Sequence, residues 1–237
     1  MLGKAFVIAK TNLRNIKVAC TTTYILMGVI LLQDIVMLIL DVLGIYSNPA
    51  GNLTVSYGNY LFLLIILGAI YISTTNFRMM MNLGAKRKDY FYGCYLTYVI
   101  MAAIISFLSI LLYFTYDRFA INLFLRGGTM DVLYWFGWLN NGVIVAYFRQ
   151  FAFLLLLSVL IHTLSTIQDR WYGWITDGVI IAVISVFTPI APLRQFLIGF
   201  FNLIIFNNNA LLQIFVCLIL SIVIYLLNKP ILAAKAI

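Results

Sequence analysis

Long apolar runs separated by short polar breaks set the pattern of this chain. Six runs come close to or reach the roughly 20 residues that a helix needs to cross a bilayer. They cover about 21–40, 57–76, 91–113, 143–164, 174–192 and 210–227. None alternates apolar and polar residues as the strands of a membrane barrel do, so the runs predict helices. The fifth is the least regular, because it ends on Pro189 and Pro192. After Arg194 follows a shorter apolar run, Phe196 to Phe206, closed by Asn207, Asn208 and Asn209. That run is short for a span and predicts a re-entrant or outer-side helix between spans five and six.

Residues 1–19 carry a different pattern. Leu2, Ala5, Phe6, Ala9, Leu13 and Ile16 share one helical face, with Lys10, Arg14 and Lys17 as a stripe beside it. This predicts an amphipathic elbow helix in the membrane plane, its apolar atoms in the acyl region and its cations near anionic headgroups. It stands ahead of a single transmembrane domain, 20–237. The first apolar run starts only near residue 21 and no small-residue cleavage site follows it, so the N-terminus does not read as a cleaved signal.

Composition agrees. The chain is 64% hydrophobic and 9% charged, with a mean hydropathy of +1.06, whereas a soluble domain is about half apolar and a quarter charged. The reading is an all-α integral membrane protein. Its orientation follows from Lys and Arg. On one side lie Lys4, Lys10, Arg14, Lys17, Arg78, Lys86, Arg87, Lys88, Arg170, Lys229 and Lys235; on the other lie Arg118, Arg126, Arg149 and Arg194. Eleven against four puts both termini in the cytoplasm. The same bias accounts for the net charge of +8 without a nucleic-acid partner. Trp135 and Trp138 then fall near the outer interface, Trp171 and Trp174 near the inner one.

Chemistry is sparse. No phosphate loop occurs, and neither does a zinc-protease helix motif, a nucleophile elbow or a Cys/His cluster. Cys20, Cys94 and Cys217 are too scattered for a disulfide framework or metal site and read as small apolar residues. The one histidine, His162, reads as a hydrogen-bonded packing residue near the cytoplasmic end of span four. All seven acidic residues are Asp. Asp34, beside Gln33, stands out because it lies inside the first run, where a charge costs about 2.5–3.5 kcal/mol on insertion scales. It either lines a pathway or subunit contact, or bonds to a neighbouring Tyr, Ser or Asn. Asp177 is a weaker case of the same kind. No internal repeat is evident, which argues against a repeat-built secondary transporter.

The loop after span two is the most informative stretch: Arg78-Met79-Met80-Met81-Asn82-Leu83-Gly84-Ala85-Lys86-Arg87-Lys88-Asp89-Tyr90-Phe91-Tyr92-Gly93. Met residues are adaptable apolar knobs, Gly84 can end a short helix, and three successive cations can meet an acidic partner. This run resembles the first cytoplasmic loop of ABC-2-type exporter permeases of Gram-positive bacteria, where Leu-Gly is followed by a basic pair, Asp and an aromatic. The expected topology is similar too. Within that class the chain resembles the membrane subunits of phenol-soluble modulin and bacteriocin peptide exporters.

The resemblance implies a membrane permease that is one of two, a second copy or a sister subunit, each seated on a separate ABC ATPase. ATP and Mg²⁺ would bind in that ATPase and no cofactor in this chain, which would not itself be an enzyme. Met80, Asn82, Leu83, Gly84, Lys86, Arg87, Lys88, Asp89 and Tyr90 would form the ATPase-coupling surface. Membrane lipid would contact Lys10, Arg14 and Lys17, and Gln33 and Asp34 would belong to a pathway for peptide cargo. The competing readings are a stand-alone secondary transporter or channel, and a non-transporting immunity or sensor protein.

Overall fold

The computed structural model describes residues 2–45, 53–119 and 128–235. Arg126, one of the four charges of the weaker side, lies outside the described residues, and the side chain of Leu2 is also not described. The described chain is helical throughout apart from one short ladder. In order, it forms α1 (Leu2–Asn15), α2 (Lys17–Val42), β1 (Leu53–Val55), α3 (Tyr57–Tyr71), a π-helical turn (Ile72–Asn76) and α4 (Phe77–Asn82). Then come α5 (Arg87–Leu112), a second π-helical turn (Tyr113–Asp117), β2 (Gly128–Met130), α6 (Val132–Trp135) and a 3₁₀ turn (Trp138–Asn141). The last four helices are α7 (Val143–Ile167), α8 (Trp171–Phe187), α9 (Ala191–Ile204) and α10 (Ala210–Ala234). The parallel β1–β2 ladder, Leu53↔Gly128 to Val55↔Met130, is an addition to the expected all-helical fold.

Among the described residues five helices are long and apolar enough to cross a membrane, and a sixth crossing exists only if α8 and α9 count as one bent span. This is a multi-pass membrane protein. Large apolar side chains such as Ile25, Leu32, Ile181, Phe196 and Phe215 are exposed. Water would penalise that surface and lipid does not. The interior is built around α7, which packs against α3, α5 and α10. Its buried side chains occur on nearly every side of the helix, including Ala152, Leu154, Leu155, Leu156 and Val159, as befits a helix enclosed by others.

One expectation needs correction, at the N-terminus. Gly3–Val42 is one helical rod of 40 residues, about 60 Å long at 1.5 Å per residue. Its α-helical pattern is interrupted only at Ile16, whose N–H still bonds Asn12 O and whose carbonyl still accepts from Cys20. An in-plane elbow must leave the axis of the following span, and α1 continues it. Its inward face keeps Ala5, Ala9, Leu13 and Ile16 of the predicted stripe but turns Phe6 outward. Ala5, Ile8, Ala9, Asn12 and Ile16 are buried while Phe6 is 59% exposed. α1 packs on α5, and a Cβ added to Gly93 would lie 2.5 Å from Ile8 Cγ2. Protein, not lipid, covers this face.

The fifth run is irregular and is followed by a shorter helix, as its prolines suggested. α8 has 17 residues, about 26 Å of helix, and turns by 117° into α9. Thr188–Ile190 is where α-helical geometry stops, just before Pro192 at the start of α9.

Candidate functional site

The basic loop is a rigid hairpin between α4 and α5. α4 ends on Gly84, which takes φ +80°. Gly84 N–H bonds Met81 O and Ala85 N–H bonds Met80 O, the paired bonds of a Schellman stop that favours glycine. Three residues later α5 starts, with Asp89 in its first turn, where a carboxylate complements the helix dipole. Asn82, Leu83, Gly84, Lys86 and Lys88 are exposed; Arg87 and Asp89 are half-buried.

Met80 and Tyr90 do not belong to that surface. Both are buried. Tyr90 donates its hydroxyl to Ile72 O at 2.6 Å and sets its ring edge-on to Phe77. The π-helical turn presents that carbonyl, and a run of three aromatics gives no sign from sequence of which one turns inward. Arg87 is likewise committed internally: its guanidinium donates to Ala233 O and to Lys235 O at 2.9 Å.

Those bonds belong to a latch at the basic end of the bundle. Lys235 is 3% exposed. Its ammonium donates to Ser73 O at 2.9 Å, pairs with Asp169 at 3.0 Å and lies 5.4 Å over the Phe77 ring. Arg78 approaches the same Asp169 at 3.8 Å. The chain end, the α7–α8 connection and the loop are thereby joined. Sequence offered Lys235 only as a topology charge.

Beside the latch runs a seam of buried amides. Asn76, in the first π-helical turn, donates to Asn12 Oδ1 and accepts from Asn15 at 2.9 Å. Asn12 in turn donates to Thr97 Oγ1 at 3.1 Å and to Cys94 Sγ at 3.6 Å. This seam ties α1, α3 and α5 together, and none of its asparagines stood out in the sequence. Lys10, Arg14 and Lys17 stay exposed on the opposite side of the rod.

At the other end of the bundle Asp34 accepts a hydrogen bond from Tyr57 Oη at 2.9 Å, and Gln33 is exposed. The two antiparallel helices meet at Asn15–Asn76 and at Asp34–Tyr57. Both pairs are 19 residues apart along each chain (15 to 34 and 76 to 57). That is about 28 Å of helix, close to the whole ~30 Å of hydrocarbon. Asp34 therefore sits level with the start of α3. The apolar run continues to Leu40, beyond that end of its partner helix.

Around it, the Tyr116 ring lies 4.3 Å from that of Tyr57, tilted by 59°. Asp117 accepts from Ser56 Oγ and from Tyr57 N–H at 3.3 Å. Asp131 caps α6 by accepting from Leu133 N–H at 2.6 Å. Burial pushes the Asp131 carboxyl above the usual carboxylate range, against the backbone hydrogen bond from Leu133 that pulls it down.

Buried polar groups also line the central helix. Arg149, read from sequence as an outer-side charge, is 2% exposed and donates to Gln213 Oε1 and to Asn207 O at 2.6 Å. Trp138, read as interfacial, is wholly buried and donates to Ile205 O at 2.9 Å; Trp135, Trp171 and Trp174 are exposed. His162 bonds Tyr98 through Nδ1 at 2.7 Å. Its Nε2, both polar atoms of Gln150 and of Asn228, and Ser106 Oγ are buried without a hydrogen-bond partner. Asp177 accepts from Gln168 Nε2. The three cysteines are free.

No family model, no curated protein and no solved structure matches this chain.

Proposed function

We propose that this chain is the permease subunit of an ABC-2-type exporter, one of two membrane subunits driven by a separate ATPase, with an amphipathic or antimicrobial peptide as cargo. The observation that supports it most is the anchored hairpin, an exposed cationic tip on two helix ends that are fixed to the interior. A chain without a phosphate loop has to receive work through a contact surface, and a stiff short loop passes on displacement better than a slack one.

In this reading the ATPase holds Asn82, Leu83, Gly84, Lys86, Lys88 and the exposed edge of Asp89. Met80, Arg87 and Tyr90 act behind them. Tyr90 carries a push to α3 through Ile72, and Arg87 carries it to the end of α10. The latch extends it to the α7–α8 connection through Asp169. ATPase closure then moves these elements as a body. The termini are cytoplasmic, and α8 with α9 forms one broken crossing.

Lys86→Glu/Lys88→Glu tests this without touching the internal bonds of Arg87. The pair should cut cargo-stimulated ATPase activity of the purified complex at least tenfold while the permease still folds. Full stimulation in that variant would refute the coupling role.

One observation favours a stand-alone carrier instead. Ser106, Gln150, His162 and Asn228 place partnerless polar atoms inside the helices of a single subunit, and intramembrane polar groups mark pathways. That reading requires transport in liposomes holding this chain alone.

A further inference from the structure

A groove of about 530 Å³ opens between α5 and α10, next to the start of α1. Tyr92, Tyr95, Leu96 and Val99 of α5 face Ile222 and Leu226 of α10 across it. Ala5 of α1 and Phe91 and Tyr225 also border it. Its walls are almost purely apolar, and it lies along helices that are long and apolar enough to span the bilayer.

Helical spacing places cations at one end of this groove. Residues three and four apart share a helix face. Lys88 therefore continues the Tyr92–Tyr95/Leu96–Val99 stripe one turn toward the start of α5. On α10, Lys229 continues the Ile222–Tyr225/Leu226 stripe one turn toward the chain end. Both lysines are exposed. The structure so joins a slot for a hydrocarbon chain to a pair of cations at its mouth.

We propose that this groove binds one phospholipid with an anionic headgroup, its acyl chain between α5 and α10 and its phosphate at Lys88 and Lys229. Charge complementarity selects this occupant. A second copy of the chain would bring Lys88 and Lys229 against an equally basic rim, whereas an anionic lipid neutralises them. The apolar walls favour the acyl chain, and the amphipathic lysine stems reach past them to the headgroup. This inference needs only a chain embedded in a membrane; it shares Lys88 with the exporter reading, and lipid retention and ATPase activity are read separately.

Native mass spectrometry of the detergent-solubilised protein, with any subunit that purifies with it, is the test. Phosphatidylglycerol and phosphatidylcholine are titrated separately. One phosphatidylglycerol should be retained with at least fivefold preference. Lys88→Gln/Lys229→Gln should abolish the preference, and Leu226→Trp, which fills the slot, should reduce retention of both lipids. Monodisperse elution of each variant establishes that it is folded. Equal retention of the two lipids by the unaltered protein, or an unchanged preference in the double variant, would overturn the assignment. So would efficient disulfide cross-linking of Leu226→Cys between copies in native membranes, since a second copy would then occupy the groove.

Discussion

Buried amides hold the basic end of this fold in register. Asn76 serves Asn12 and Asn15 at once, so Asn76→Leu strands two amides away from water. Interhelical hydrogen bonds in membranes are worth about 1 kcal/mol each, and the variant should lower the thermal midpoint of the solubilised protein accordingly. Because the groups act as a unit, Asn12→Ala/Asn76→Ala should cost clearly less than the sum of the two single changes. Asp131 gives a pH signature. Its folded carboxyl titrates above its unfolded value. Its contribution to stability is therefore full below the ordinary carboxylate range and is lost as pH rises through the raised value. Melting should thus show a stabilising component on acidification that Asp131→Asn removes, while the capping bond to Leu133 persists. Asp131→Ala should in addition lose about 1 kcal/mol of cap. A melting profile in which Asp131→Asn leaves the pH dependence unchanged would contradict this. Such residues were hard to find in the sequence for a physical reason. An Asn in an apolar run looks the same whether it meets a partner, a headgroup or nothing.

At the scale of elements, packing decided what hydrophobic pattern could not. The long runs gave the starts of α3, α7 and α10 to the residue and missed several other ends by four residues or more, because lipid and protein interior alike demand apolar side chains while the polar helix ends carry no such mark. Gly84 was legible as a helix stop for the same kind of local reason. The rod of α1 and α2 was not, because an amphipathic stripe is compatible with lying on lipid or on α5. The tight Gly93–Ile8 approach shows which applies. Gly93→Val should therefore detach α1 and raise its protease sensitivity, with Ile8→Ala restoring part of the protection. The latch makes a second claim at this scale. Lys235 is buried and pairs with Asp169, while Arg78 reaches Asp169 from solvent at 3.8 Å. Asp169→Asn leaves a buried ammonium without its counter-charge and should destabilise several-fold more than Arg78→Gln, whose exposed pair is worth under about 1 kcal/mol. Equal effects of the two changes would mean that Lys235 is not held by Asp169.

At the scale of the whole molecule, the hairpin, the latch and the amide seam gather at the basic end and tie four helices and the chain end together. The opposite end is held separately, by Asp34–Tyr57, the Asp117 cap on α3 and the Arg149–Gln213 contact. A bundle fixed at both ends by polar stitches and joined between them by apolar packing suits rigid-body rocking. Five of the nine residues singled out around that loop, Asn82, Leu83, Gly84, Lys86 and Lys88, are exposed as a polar, basic run after a helix suggests. The inward turn of Met80 and Tyr90 depends on the π-helical turn before them, which no pattern of apolar residues announces.

The central claim is that work enters this protein from a separate ATPase. The direct measurement is purification of the tagged chain from its native membrane, with mass spectrometry of the complex and an ATPase assay. The account predicts an ATP-binding-cassette subunit in stable association and ATP hydrolysis that vanadate inhibits. A well-folded chain that purifies with no such subunit and no ATPase activity would contradict it.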